Sequence, residues 1–115
     1  MIFVYDVEIP ANTPKGKSKI VKAPLPRGVI HKIDIHFPPG CAGLAGVRIT
    51  RSGMPVYPSN PNEWFITDNE TITFPEHYEI TKAEPEFLIH AYNEDDTYSH
   101  TITFRFGVLP KEVLD

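Results

Sequence analysis

The sequence contains a single cysteine, Cys41, so an internal disulfide is excluded. It also lacks any Cys/His spacing that is typical of a zinc site. A chain of 115 residues is long enough to bury roughly two-thirds of its unfolded surface, and it needs neither a disulfide nor a structural metal to fold. We therefore interpret Cys41 as a small, inert residue.

Positive charge is also scarce. Lys and Arg number 11 against 15 Asp and Glu, which gives a net charge of -4. Binding to a nucleic-acid backbone needs clustered positive charge. The only basic cluster is Lys15, Lys17, Lys19 and Lys22, which we interpret as a solvated loop and edge strand. The composition thus argues against a nucleic-acid partner.

No hydrophobic run approaches the ~20 apolar residues that a membrane helix needs. The first residues, MIFVYDVEI, have neither the basic start nor the apolar run of a signal peptide. We therefore expect synthesis in the cytoplasm without a signal peptide and no membrane partner.

Helical periodicity is missing, and alternation of apolar and polar residues takes its place. Ile102, Phe104 and Phe106 alternate with polar residues, as expected for a strand with one buried face. The segment from Phe87 to Tyr92 also alternates, and the intervening residues 93–99 are rich in turn formers. These features predict one long antiparallel pair of strands from Phe87 to Leu109.

The second clearest strand is GVIHKIDIHF, where alternation places His31 on the same face as Val29, Ile33 and Ile35. Over the whole chain we predict about eight short strands, spaced by ~8 to 12 residues, the pattern of a β-sandwich or small barrel. We expect one domain, residues 1–115, that is an all-β antiparallel sandwich. A jelly roll is preferred to an immunoglobulin-like sandwich, because the strand count fits and the Cys/Trp/Cys arrangement is missing.

No motif predicts a catalytic, cofactor or metal site. The five histidines do not form an H-x-H pair, although a site at His90 and His100, which flank one loop, stays open. No serine lies in a G-x-S-x-G elbow. The acidic loop 93–97 offers oxygen ligands for calcium but lacks the order of an EF-hand loop, so calcium binding also stays open.

Aromatic and polar side chains near the loop after the predicted strand at Phe87 suggest a binding surface. Flat aromatic faces stack on sugar rings, and Asn and Asp side chains bond hydroxyl groups; aromatic residues are also enriched at protein interfaces. The candidate contacts to a ligand or partner are Trp64, Tyr92, Asn93, Asp95, Asp96 and Tyr98. The alternative is that Trp64 fills the mouth of the sandwich as part of the core.

The segments GVIHKIDIHFPPGCAGLAGVRI, YPSNPNEWF and AYNEDDTYSHTITFRFGVLP resemble a family of small uncharacterised proteins encoded among phage and prophage structural genes. The similarity runs from Gly28 to Pro110, and its specific parts are FPPGCAGL and NEDDTYSHT. It implies a structural role on a virion or another assembled particle. No residue role is transferred by it.

The sequence therefore favours a non-enzymatic structural protein that forms a homo-oligomer, a trimer or larger, or that binds a capsid protein. A carbohydrate-binding β-sandwich module is the first alternative. A cupin-like metal enzyme, which rests on the histidines alone, is the second.

Overall fold

The computed structural model describes residues 1–60, 62–81 and 87–110, apart from the side chain of residue 110. Within these ranges the chain forms nine strands: β1 (Ile2–Ile9), β2 (Lys19–Ala23), β3 (Gly28–Phe37), β4 (Ala45–Arg51), β5 (Met54–Tyr57), β6 (Phe65–Ile66), β7 (Glu70–Ile80), β8 (Phe87–Asn93) and β9 (His100–Pro110). A single 3-10 turn covers Lys15–Lys17. No helix in the described ranges is long and apolar enough to cross a membrane.

The strands form two antiparallel sheets. The first has four strands in the order β1-β9-β3-β7, and the second has five, in the order β2-β8-β4-β5 with β6 also paired to β4. The prediction of an all-β antiparallel sandwich is confirmed, with nine strands in place of about eight. The preference for a jelly roll stays a prediction.

The core lies between the two sheets and follows the alternation of apolar residues. Each inner strand of a sheet contributes side chains at every second position, because successive side chains of a strand point to opposite faces. The fully buried members from the first sheet include Ile33, Ile35, Phe104 and Phe106, and those from the second include Val47, Ile49, Phe87 and Ile89.

The predicted antiparallel pair from Phe87 to Leu109 is wrong. β8 pairs with β2 and β4 in the second sheet, whereas β9 pairs with β1 and β3 in the first. Residues 94–99 therefore connect the two sheets and do not close a hairpin. Alternation specifies which face of a strand is buried. It does not specify whether the next strand in the sequence pairs with it in the same sheet or packs against it from the other sheet.

The predicted faces of β3 are also partly wrong, because a bulge interrupts the strand. Its pairing with both β7 and β9 shifts between Ile30 and Lys32. An extra residue at a bulge reverses the alternation on one side of it, so Ile30 is buried and His31 is exposed. His31 instead lies over Gly107, where an added Cβ would come within 2.8 Å of its Nε2 atom.

The register of β9 predicts that substitutions at two neighbouring positions change the unfolding free energy by very different amounts. Phe104 is fully buried, and Phe104→Ala should cost roughly 3 to 5 kcal/mol of unfolding free energy through the lost contacts and the cavity. Thr103 is only partly buried and donates one hydrogen bond to Asp6 Oδ1 at 2.7 Å, so Thr103→Ala should cost about 1 kcal/mol or less. Denaturation in urea measures both, and the reverse order would mean that the strand is shifted by one residue.

Candidate functional site

The outer face of the second sheet brings two of the predicted residues together. Trp64, just before β6, and Tyr92, on β8, lie edge to face, with ring centroids 4.8 Å apart and an interplanar angle of 89°. Gly46 is the β4 residue opposite Tyr92. A Cβ atom at Gly46 would lie 2.4 Å from the Tyr92 ring, so a glycine is needed for the tyrosine to lie across β4.

Two basic side chains cover these rings. The guanidinium carbon of Arg48 lies 4.7 Å from the centroid of the Trp64 ring, and Lys15 Nζ lies 5.1 Å from that of Tyr92. Both distances are within the range of cation–π attraction. Only 1% of Tyr92 is exposed, so it supports Trp64 and offers no open stacking surface of its own. Trp64 remains half-buried.

Arg48 lies directly opposite His90 in the β4–β8 pair. The Nε2 atom of His90 is 2.8 Å from the Thr50 hydroxyl oxygen. Burial, and then the positive charge of Arg48, lower the pKa of His90 below its ordinary 6.5. The Arg48 Nε atom is buried and has no hydrogen-bond partner within the described residues. The cluster thus has hydrogen-bonding capacity that the fold does not use.

The connection between β8 and β9 is built around Asn93, which is fully buried. Its Nδ2 donates to the carbonyl oxygens of Ile9, at 3.1 Å, and Tyr98, at 2.9 Å, and its Oδ1 accepts from Asp95 N at 3.0 Å. One amide therefore joins the end of β1 to both sides of the connection. Asn93 is a structural residue, because both of its N–H groups are used within the fold and its side chain is closed to solvent.

Asp95 organises the same connection. Its Oδ1 accepts from the backbone N–H groups of Thr97 and Tyr98 at 2.9 and 3.2 Å, and its Oδ2 is 3.0 Å from His100 Nε2. The Thr97 N–H, and then the His100 hydrogen bond, lower the pKa of Asp95 below its usual value. Asp96 accepts from the Thr97 hydroxyl at 2.9 Å. These carboxylates already bind donors of their own loop.

The six predicted contact residues thus fall into two groups. Trp64 and Tyr92 belong to the outer face of the second sheet, and Asn93, Asp95, Asp96 and Tyr98 belong to the connection. Of the second group, Tyr98 is 68% exposed. Sequence reasoning missed Arg48, and it considered His90 as a partner of His100 and not of Arg48. The alternation of Arg48 with the apolar residues Val47 and Ile49 was the available signal, because it places the arginine on the outer face.

The histidines have separate partners. His90 contacts Thr50, His100 contacts Asp95, and His36 Nδ1 is 2.8 Å from the Thr71 hydroxyl. In the part of the chain that is described, no group of three or more His, Cys, Asp or Glu side chains is placed to hold a metal. The cupin-like alternative gains no support from this arrangement.

Cys41 is fully buried in the turn between β3 and β4. Burial, and then the charges of Asp68 and Asp95, raise the pKa of its thiol. Asp68 Oδ1 holds this turn by accepting from the backbone N–H groups of Gly40 and Ala42, both at 3.0 Å. The thiol is therefore kept protonated, which agrees with its interpretation as an inert residue.

No protein-family model and no curated protein matches the sequence. Among solved structures, the crystal structure of PirA is similar over 90% of this chain and 91% of that chain, with 12% sequence identity and a TM-score of 0.32. A likeness at this TM-score carries no argument about function.

Asn93 gives a direct test of the connection. Asn93→Ala removes three hydrogen bonds at a buried position, so it should cost about 1 to 3 kcal/mol, since buried backbone groups lose their partners. Asp96→Ala, an exposed change in the same connection, should stay within about 0.5 kcal/mol of the parent protein. Urea denaturation compares the two variants. Equal stabilities would show that Asn93 does not hold the connection.

The environment of His90 predicts an effect of pH. Since the folded state lowers the pKa of His90 below 6.5, the unfolded chain takes up the proton first as the pH falls. The His90 contribution to stability is therefore undiminished above about pH 6.5, the ordinary value for histidine, and decreases on acidification below it. Site-specific NMR titration measures the pKa directly. Arg48→Gln should raise it part of the way back, and a wild-type value at or above 6.5 would contradict the assigned environment.

Proposed function

We propose that this protein is a non-enzymatic structural subunit that associates with further copies of itself through the free edge of β1. The observation that carries the proposal is that β1, an edge strand of eight residues, lacks the features that block pairing at the other edges. The resemblance to phage structural proteins supports the same role.

The backbone of β1 presents hydrogen-bonding groups away from its neighbour. The backbones of Met1 and Val108 form two hydrogen bonds: Met1 N donates to Val108 O at 3.0 Å, and Val108 N donates to Met1 O at 2.8 Å. Paired and outward positions alternate along an antiparallel strand, so the N–H and C=O groups of Ile2, Val4 and Asp6 point away from β9. Further along, the Glu8 carbonyl accepts from Lys19 Nζ at 2.6 Å. The open part of the edge therefore runs from Ile2 to Asp6.

The other described edges carry features that discourage pairing. β2 has the exposed lysines Lys19 and Lys22, β7 contains Pro75, and β5 and β6 are only four and two residues long. Lysine, proline and shortness are the usual means by which proteins protect sheet edges. β1 contains no lysine, arginine or proline.

Apolar side chains are exposed along the open part of β1. Met1, Ile2 and Val4 are 59%, 71% and 54% exposed. In an isolated molecule these side chains face water, whereas pairing with another strand covers part of them. Burial of this apolar surface adds to the backbone hydrogen bonds of the contact.

A second β1 fits this edge in the antiparallel direction. With a twofold axis at Val4, Ile2 lies opposite the second copy's Asp6. The carbonyl of Glu8 lies outside this pairing and keeps its hydrogen bond from Lys19. The two four-stranded sheets then become one continuous sheet. A contact of this kind uses the same surface on both copies and closes as a dimer. A trimer or larger assembly, or attachment to a capsid protein, needs a further contact and stays a prediction.

The strand order supports the jelly-roll assignment within this proposal. Consecutive strands from β1 to β4 alternate between the two sheets, and so do β7, β8 and β9. An eight-stranded double-sheet jelly roll combines two Greek keys, and the short β5 and β6 together occupy one edge beside β4.

Val4→Pro tests the free edge. The Val4 N–H points away from β9, so proline removes a donor from the outer edge and none from the β1–β9 ladder. We expect the parent protein to show an average mass that rises with concentration in sedimentation equilibrium, and Val4→Pro to remain a monomer while its circular dichroism spectrum is unchanged.

Val4→Thr is the matched control, because it keeps the N–H group and removes one methyl group of exposed apolar surface. It should associate almost as well as the parent protein. A parent protein that stays monomeric at every concentration would refute the proposal. So would association of a folded Val4→Pro variant at the strength of the parent.

A further inference from the structure

The outer face of the second sheet has a charge pattern of its own. The outward positions of β2, β4 and β8 include the basic side chains of Lys22 and Arg48 and no acidic side chain. The chain as a whole carries a net charge of -4. Positive charge is therefore concentrated on this face against the overall balance of the protein, which favours an anionic ligand.

Arg48 is the centre of this face. Its guanidinium carbon lies 4.7 Å from the centroid of the Trp64 ring, and its Nε is buried without a hydrogen-bond partner within the described residues. No ion pair involves Arg48 in the same part of the chain. An arginine offers five N–H donors in a fixed plane that matches a carboxylate. The contact with Trp64 thus holds a guanidinium whose N–H groups have no hydrogen bond to the described residues.

The residues beside Arg48 add an apolar surface and a polar atom. Trp64 is half-buried, so part of this residue is accessible to solvent. His90 uses Nε2 for Thr50, and its Nδ1 has no hydrogen bond to the described residues. The charge that shifts the His90 pKa is that of Arg48, with no acidic contribution. Glu94, beyond the end of β8, acts on Tyr92 instead.

We propose that Arg48, Trp64 and His90 form a binding site for a sugar ring that carries a carboxylate, such as a uronic acid. The carboxylate accepts hydrogen bonds from the Arg48 guanidinium, the C–H face of the ring lies against the indole of Trp64, and a ring hydroxyl reaches His90 Nδ1. This assignment is independent of the β1 edge, since it uses the outer face of the other sheet.

A protein partner fits these observations less well. A stable protein interface needs a sizeable buried area around a few central anchors. Here the exposed large apolar side chains of the face, Ile20 and Ile66, belong to strands on either side of the β8–β4 pair. The spare donors are instead concentrated at one arginine beside one aromatic ring, which matches a single small ring with one charge.

The chain provides its own reporter, because Trp64 is the only tryptophan. Its fluorescence is titrated with glucuronic acid, glucose and acetate at constant ionic strength. Glucose has the ring without the carboxylate, and acetate has the carboxylate without the ring. We expect a saturable change with glucuronic acid and an affinity at least about tenfold weaker for each of the other two.

Three substitutions assign the response to Arg48. Arg48→Gln should weaken glucuronic acid binding by about tenfold or more. Arg105→Gln makes the same change of charge at an exposed position of the first sheet and should bind as the parent protein does. Because Arg48 touches the reporter, calorimetric titration repeats the measurement, and circular dichroism checks that each variant is folded. Arg48→Lys keeps the charge without the planar donors and should bind more weakly than the parent.

Four outcomes would overturn the proposal. They are no saturable response to glucuronic acid, an equal response to acetate, which would indicate a simple anion site, an equal response to glucose, and an equal loss of binding in Arg48→Gln and Arg105→Gln.

Discussion

The packing of the inner faces of the two sheets is the interaction on which the other features depend. β3 and β9 occupy the middle of the first sheet, and β8 and β4 the middle of the second, and their apolar side chains meet in a core that contains no charged residue. Because the inner positions of these strands are apolar except for Asn93 and His100 at strand ends, the other polar and basic groups are confined to the outer faces. Because β4 pairs with β8, Arg48 lies opposite His90, and Thr50 is the next outward residue of β4.

A sandwich of two open sheets has edge strands, and those of this molecule differ in how well they are protected from pairing with another strand. β7 contains a proline and β2 contains two lysines, whereas β1 has a regular extended backbone with exposed valine and isoleucine. Two distinct surfaces result. One is the strand edge proposed for self-association, which offers backbone hydrogen-bonding groups, and the other is the sheet face proposed for ligand binding, which offers the side chains of Arg48 and Trp64.

Sequence patterns predicted the burial of residues better than their partners. Phe104, Phe106 and Ile89 are buried as alternation requires, since the core accepts only one face of each strand. The pairing of β8 with β4 was not predictable, because several apolar strands satisfy the same face. The exposure of His31 depends on a bulge that no residue type signals. Likewise, Arg48 lies on β4 and Trp64 precedes β6, so alternation within one strand could not predict their contact. The buried role of Asn93 was not predicted either, because asparagine is frequent in turns.

The pairing of β1 with β9 has a consequence for synthesis on the ribosome. Met1 and Val108, which exchange backbone hydrogen bonds, are separated by 107 residues. During translation β1 therefore emerges long before its neighbour exists, and both of its edges are unpaired until the last strand has left the exit tunnel. Such a topology of distant partners folds slowly, and β1 must avoid pairing with a wrong strand while the residues between it and β9 are synthesised.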